Sequence, residues 1–288
     1  MGQVLMLGDS HGNVSFMKRA FKQVVARDGA DVEAVISVGD FGIWPGRSGQ
    51  AFLDDAEMRA AKAEVPIIVV PGNHDDYDQL DALTPDADGW LPLREHITAA
   101  PRGHSFEIGG RTFLACGGAA SPDGPGGIFP QVRGPGPALV RRYDRRTGRM
   151  VQGEEVRDRG GWWPQEIVTA ADVRRCLATI DRLARDGRQV DIMVTHDVPS
   201  EVVMEGPPFA RGVEVRDRLQ QVLDAARPQL LFAGHWHRYQ VHRLRHDPHT
   251  YAVVLSADVN PAAPQWALVD LDTLEVTPAR RGHDRDIL

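Results

Sequence analysis

Cysteine is almost missing from this chain of 288 residues, which holds only Cys116 and Cys176. A disulfide-stapled scaffold is thereby excluded, and both thiols are expected to stay reduced and inert. Lysine is scarce as well: Lys18, Lys22 and Lys62 are the only three among 33 basic residues. The arginine excess suits phosphate oxygens, which a guanidinium fork matches. It equally fits the coding bias of a GC-rich genome, so composition alone assigns no activity. Positive charge does not dominate either. The net charge of −7 disfavours a general nucleic-acid or acidic-membrane coat. No apolar run approaches the roughly 20 residues that span a bilayer. The opening Met1–Leu7 lacks the charged leader and long apolar segment of a secretion signal. Met6 stands where a myristoylation pattern needs Ser or Thr, and the expectation is a cytoplasmic protein. A hydrophobic content of 42% excludes intrinsic disorder and supplies a sizeable core.

Short aliphatic runs alternate with helical stretches, the pattern of an α/β domain. Strands are expected at Val4–Leu7, Ala34–Val38 and Pro66–Val70, with helices at Val14–Arg27 and Gln50–Glu64 between them. Such strand–helix–strand units are normally parallel with right-handed crossovers. Ser105–Ile108 and Thr112–Cys116 flank Gly109-Gly110-Arg111, a hairpin signal. Residues 117–164, rich in Gly, Pro and Arg, read as a long irregular surface excursion. A helix at Ala170–Arg185 opens at Thr169, whose hydroxyl can cap it. Strands at Asp191–Val194 and Leu230–Phe232 bracket a helix at Val213–Ala226. The runs Val241–Leu244, Tyr251–Leu255, Trp266–Val269 and Leu274–Val276 read as one closing set of antiparallel strands. The expectation is a single domain over residues 1–288 with an insertion at about 117–164.

Five strand ends carry the chemistry. Gly8-Asp9-Ser10-His11, Gly39-Asp40, Gly72-Asn73-His74-Asp75, Thr195-His196-Asp197 and Gly234-His235-Trp236-His237 each set Asp, Asn or His just beyond an apolar run. In α/β sheets ligands bind at the carboxyl ends of strands. Four of the five have Gly before the polar residue, which permits tight turns and close backbone approach. If the chain stays extended, Asp9 and His11 point the same way, as do His235 and His237. Oxygen and imidazole donors without thiolate suit Mn²⁺, Fe or Zn²⁺. Seven donors exceed one tetrahedral ion but suit two ions sharing a carboxylate, a pair that clamps an in-line displacement.

The ordered set D-x-H, G-D, G-N-H-D, H and G-H-x-H, running from Gly8 to His237, resembles the calcineurin-like metallophosphoesterase superfamily. The resemblance implies a four-layer sandwich of two mixed β-sheets flanked by helices. It implies one divalent metal on Asp9, His11 and His237, a second on Asn73, His196 and His235, and Asp40 bridging them. Mn²⁺ is the first expectation, with Fe, Zn²⁺ or Ni²⁺ as alternatives. His74 would face the scissile phosphate and assist the leaving group, and Asp75 would support that histidine by fixing its tautomer. Stabilisation of a helix N-terminus is the rival role for Asp75. The implied reaction is hydrolysis of a phosphomonoester or phosphodiester by a hydroxide held between the metals. Local ion charge would attract the phosphate despite the overall −7.

Other readings stay open at this level. A catalytically silent scaffold of the same fold would bind protein, although no ligand position is lost here. A protein phosphatase of the superfamily usually shows Arg-Gly-Asn-His-Glu at the third motif, where this chain has Pro71-Gly72-Asn73-His74-Asp75. A nuclease is disfavoured by the few basic patches outside the insertion. A small phosphate ester is therefore the expected substrate, with no membrane partner. Within residues 133–159, Arg133, Arg141, Arg142, Arg145, Arg146, Arg149, Arg157 and Arg159 outnumber four acids. They either steer an anionic substrate or form a solvated loop. Asn13 is expected to cap a helix and Trp236 to pack. His96, His104, His242, His246, His249 and His283 are expected to be surface or structural.

Overall fold

Val4 to Leu7 are fully buried on both sides of their strand, and the two sides meet different partners. Val4 and Met6 pack between two sheets with Ile36, Ile68, Val194 and Phe232. Leu5 and Leu7 pack beneath helices with Phe16, Met17, Phe52 and Leu53. A strand covered on both faces reads as a continuous apolar run rather than an alternating one, as this one does. The same division recurs across the molecule: Ile192 and Val194 face the first sheet, while Met193 packs with Leu219, Val222 and Leu223 of a helix. Three apolar layers thus separate helices, sheet, sheet and helices.

The computed structural model describes residues 2–25, 31–122, 124, 136–144, 149–157, 161–204, 210–245 and 250–279. The chain runs β1 (Gly2–Leu7), α1 (Val14–Val25), β2 (Asp31–Ser37), α2 (Gly46–Ala63), β3 (Ile67–Val69), α3 (Tyr77–Asp81), β4 (Leu91–Pro92) and β5 (Ile97–Ala99). Then follow β6 (Ser105–Ile108), β7 (Arg111–Cys116), β8 (Gly136–Asp144), β9 (Arg149–Arg157), α4 (Ala170–Arg185), β10 (Ile192–Thr195) and α5 (Ala210–Ala226). It closes with β11 (Leu230–Ala233), β12 (Gln240–Arg243), β13 (Tyr251–Val254), β14 (Trp266–Asp270) and β15 (Val276–Pro278). One sheet has the order β15-β14-β1-β2-β3-β5-β4 and the other β12-β13-β11-β10-β7-β6. Strands β1, β2 and β3 are mutually parallel neighbours, as are β10 and β11, so each sheet presents its carboxyl ends together. Among the described residues no helix is long and apolar enough to cross a membrane.

The caps agree with the chemistry of their residues. Asn13 Oδ1 accepts from the Phe16 N–H at 3.1 Å, satisfying a donor that the first turn of α1 cannot use. Thr169 and Asp172 form a reciprocal capping box at α4, with the Thr169 N–H donating to Asp172 at 2.7 Å.

Two expectations are corrected. The closing strands are not one antiparallel set: β13 lies parallel to β11 in one sheet, while β14 pairs with β1 in the other. Alternating apolar residues describe a strand's faces but not its neighbours. The excursion after Cys116 is not wholly irregular, because β8 and β9 pair as a two-stranded antiparallel ribbon with Gly136 opposite Arg157 and Asp144 opposite Arg149. Arg133, Arg145, Arg146, Arg159, His246, His249 and His283 lie outside the described residues, as do the side chains of Arg141, Arg142, Arg149 and Arg157.

Candidate metal centre

The carboxyl ends of β1, β2, β3, β10 and β11 meet at one place. Asp9, His11, Asp40 and His237 each offer a ligand atom, and those atoms lie within 4.8 Å of one another. On the other side of Asp40, His196 Nε2 stands 3.3 Å from its Oδ1 and 3.0 Å from Asn73 Oδ1. The rings of His196 and His235 are 5.2 Å apart between centroids. His74 lies at the rim, half-buried, its ring 6.3 Å from that of His11 and its N–H donating to Asp40 Oδ1 at 2.8 Å.

The backbone pays for this convergence in strain. His11, Asp40, His235 and His237 all have positive φ, at 44°, 47°, 66° and 52°. Each such residue costs on the order of 1–3 kcal/mol and persists where the surroundings over-determine it. The extended alternation expected for Asp9-x-His11 and His235-x-His237 is therefore wrong: tight left-handed turns, not pleating, aim these side chains. Close packing explains the preceding glycines. A Cβ on Gly234 would sit 2.0 Å from Asp9 Oδ1, and one on Gly72 would sit 2.2 Å from Asp40 Oδ1.

Asp40 stands between two imidazoles, with His11 Nε2 at 3.5 Å from Oδ2 and His196 Nε2 at 3.3 Å from Oδ1. Burial opposes its charge, yet His196, His74 and His11 hold its carboxyl well below the usual range. Burial and the neighbouring Asp40 push Asp9 up to about 7 against the pull of His196 and His11. For His196 burial opposes protonation, but Asp40, Asp9 and the Val38 carbonyl raise it to about 10. His237 is lowered to about 4 by burial and by His11.

The shifts divide the centre: Asp40 keeps its charge and His196 is drawn towards protonation beside it, while burial holds His235 and His237 neutral. His196 Nδ1 lies 2.8 Å from the Val38 carbonyl, which can only accept, so that nitrogen carries a proton. Its Nε2 then faces two oxygens, and a neutral ring would set lone pair against lone pair. Asp9 Oδ1 is buried with no hydrogen-bond partner, a state that costs heavily unless a cation fills it. Carboxylate, amide and imidazole donors without thiolate match hard to borderline divalent ions. The Asp9, His11, Asp40 and His237 donors fit such an ion.

Asp75 does not meet either expectation. Its carboxylate accepts from the backbone N–H groups of Phe41, Gly42, Ile43 and Gly72 at 2.8–3.3 Å, tying the Asp40 loop to the Asn73 turn. Neither oxygen is bonded to the His74 ring, and the cap of α3 is Asp76. The expected tautomer-fixing role is thus corrected to a backbone clasp. Trp236 packs as expected: its Nε1 donates to Asp197 at 3.0 Å and Arg216 lies over its ring. His104 packs against Trp90, and His96 is bound to Glu57. Cys116 and Cys176 are buried free thiols.

Asp258 is the residue that motif reading missed. Its Oδ1 lies 2.9 Å from His11 Nδ1 and its Oδ2 accepts from Asn13 Nδ2 at 2.8 Å. The signal was present, since Asp258 follows the apolar run Tyr251–Leu255 just as the other site residues follow theirs. A separate cavity of about 260 Å³ lies behind Pro71, lined by Tyr77, Arg102, Gln165 and Arg175. Arg102 there donates to the Tyr77 hydroxyl and Gln165 Nε2 to Asp81, while Gln165 Oε1 is buried without a partner.

Solved structures offer loose likenesses. A dimetal phosphatase from Danio rerio is 13% identical, with 93% of this chain and 92% of that one covered and a TM-score of 0.47. A metallophosphoesterase from Sphaerobacter thermophilus is 15% identical over 97% of this chain and 89% of that one, at a TM-score of 0.37. A candidate 5'-nucleotidase from Staphylococcus aureus is 12% identical at a TM-score of 0.48, covering 97% of this chain, which spans 53% of that longer one. The comparison with curated proteins finds no match. The model of the calcineurin-like phosphoesterases matches residues 2–239, a span that takes in every strand-end motif from Asp9 to His237. The chain belongs to the calcineurin-like phosphoesterase family.

Proposed function

We propose that this protein hydrolyses a small phosphate ester, a monoester or diester, at a centre of two divalent cations. Asp9, His11 and His237 would hold one ion, Asn73, His196 and His235 the other, and Asp40 would be shared. The single observation that carries the reading is the Asp40 carboxylate, buried and turned with one oxygen toward His11 and the other toward His196. Bound there, such ions supply an activated water and neutralise phosphoryl oxygens, and Mn²⁺ is the first candidate. The chain's own groups do the rest. Asp9 and Asp40 fix the charge of the floor, and the strained turns hold the donors rigidly, so little reorganisation is needed when charge builds on the phosphate. His74, half-buried at the rim, is placed to give a proton or hydrogen bond to the leaving oxygen. The Asp75 clasp keeps the Asp40 and Asn73 loops in register while this happens.

The test is an assay of the metal-stripped and Mn²⁺-loaded protein on p-nitrophenyl phosphate and bis-p-nitrophenyl phosphate, with elemental analysis alongside. Two metals per chain and metal-dependent hydrolysis of either substrate are expected. Fewer than one metal per chain after loading, with no turnover, would favour the silent scaffold instead.

A further inference from the structure

Three side chains from the segment after β13 converge on one side of the centre only. Asp258 Oδ1 accepts from His11 Nδ1 at 2.9 Å, which leaves His11 Nε2 aimed at Asp40. The Asp258 N–H donates to the carbonyl of Asp9 at 2.8 Å. Ser256 Oγ and Asn260 Nδ2 both donate to the carbonyl of His237, at 3.0 and 3.3 Å, and so hold that residue in its left-handed turn. Asn13 Nδ2 fixes the second oxygen of Asp258 while its own Oδ1 caps α1. The backbone positions of Asp9 and His237, and the ring orientation and tautomer of His11, are thus referred to a single short segment.

The opposite side is built differently. His196 rests on the Val38 carbonyl, a neutral acceptor, and its companion Asn73 is a neutral amide. An imidazole backed by a carboxylate is a more basic donor than one backed by a carbonyl, and partners of this kind affect metal affinity strongly. Asp258 accordingly acts on one half of the centre through both charge and geometry.

Resting on the two-cation reading above, we propose that Asp258 is a positioning residue for His11 that controls cation binding on the Asp9–His11–His237 side and leaves the Asn73–His196–His235 side untouched. The test is a Co²⁺ titration of the metal-stripped protein, followed by the visible absorption of bound Co²⁺ and by calorimetry, on wild type, Asp258→Asn and Asp258→Glu. Wild type should bind in two steps. Asp258→Asn, which keeps an acceptor but loses the charge, should weaken one step by about 10–100-fold, change its absorption band, and leave the other within a factor of three. Asp258→Glu, with the carboxylate displaced by one methylene, should weaken the same step by less, and it serves alone if the Asn variant does not fold. Equal weakening of both steps, or of neither, overturns the proposal. Uptake of fewer than two Co²⁺ by wild type is a separate result that sinks the two-cation centre itself.

Discussion

Among the described residues, two places gather carboxylates and histidine closely enough to hold a metal ion. One is the group Asp9, His11, Asp40 and His237; the other is Glu57, Glu95 and His96, on α2 and the turn before β5. They differ in the burial of their carboxylates, in backbone and in how far their acceptors are paired. Asp9 and Asp40 are buried, whereas Glu57 and His96 are half-buried and Glu95 is exposed. In the first group three residues sit in left-handed backbone and Asp9 Oδ1 has no partner; none of the second group appears among the strained or orphaned residues described. Glu57 spends both oxygens on His96, accepting from its N–H at 2.9 Å and lying 2.6 Å from its Nδ1. Proximity alone therefore does not mark a site. A metal centre shows itself by dissatisfaction: buried charge left unpaired, acceptors facing acceptors, and strain that only a bound cation repays.

The contrast breaks most visibly at Asp40. Asp40→Asn removes the charge that both imidazoles face, and breaking a buried charge cluster costs roughly 3–5 kcal/mol, or about 10²–10⁴-fold. Elemental analysis after Mn²⁺ loading should show fewer than one metal per chain, with turnover falling by at least that factor. His74→Ala comes next. It should retain both metals while kcat falls by about 10²–10⁴-fold, the loss growing as the leaving group becomes poorer. Full activity in both variants would remove the mechanism. Asp75→Asn is smaller and of another kind. It leaves two backbone N–H groups facing an amide nitrogen, at about 1–3 kcal/mol for each group unsatisfied. Chemical denaturation should register that loss at neutral pH and less of it in acid, where burial pushes the Asp75 carboxyl up towards protonation, and the rate should not acquire the leaving-group dependence of His74→Ala.

How far the sequence alone led depends on which physics is local. The seven supposed ligand positions could be listed in advance because they lie in short motifs just beyond apolar runs, four of them directly after glycine, and those motifs resemble a known family. The covered strands were legible for the same reason. What escaped was decided by contacts between distant segments. The clasp made by Asp75 depends on backbone N–H groups more than 30 residues earlier, and Asp258 meets His11 across 247 positions. The left-handed turns at His11 and His237 escaped because only the packed core forces φ positive on a histidine. The short elements α3, β4 and β5 carry two to five residues each, too few to show a period. The division of the last four strands between two sheets is a matter of partners, and side-chain alternation is blind to partners.

The smallest effect belongs to the surface trio, and its sign follows from His96. The hydrogen bond that the His96 ring donates to Glu57, the largest influence, raises His96 above its ordinary 6.5. A base raised by folding adds stability that is complete below its unfolded value and lost as pH climbs through the folded one. Wild type should therefore unfold at a slightly higher temperature than Glu57→Gln at pH 6, and the two should converge by pH 9. Exposure keeps the difference small, and added salt should shrink it further, because a pair near the surface is screened. Metal content should be the same in both proteins at either pH, since nothing around Glu57 is buried and unpaired. A Glu57→Gln variant that lost a metal would show that the trio belongs to the centre's chemistry, and dissatisfaction would then fail as the mark that separates the two groups.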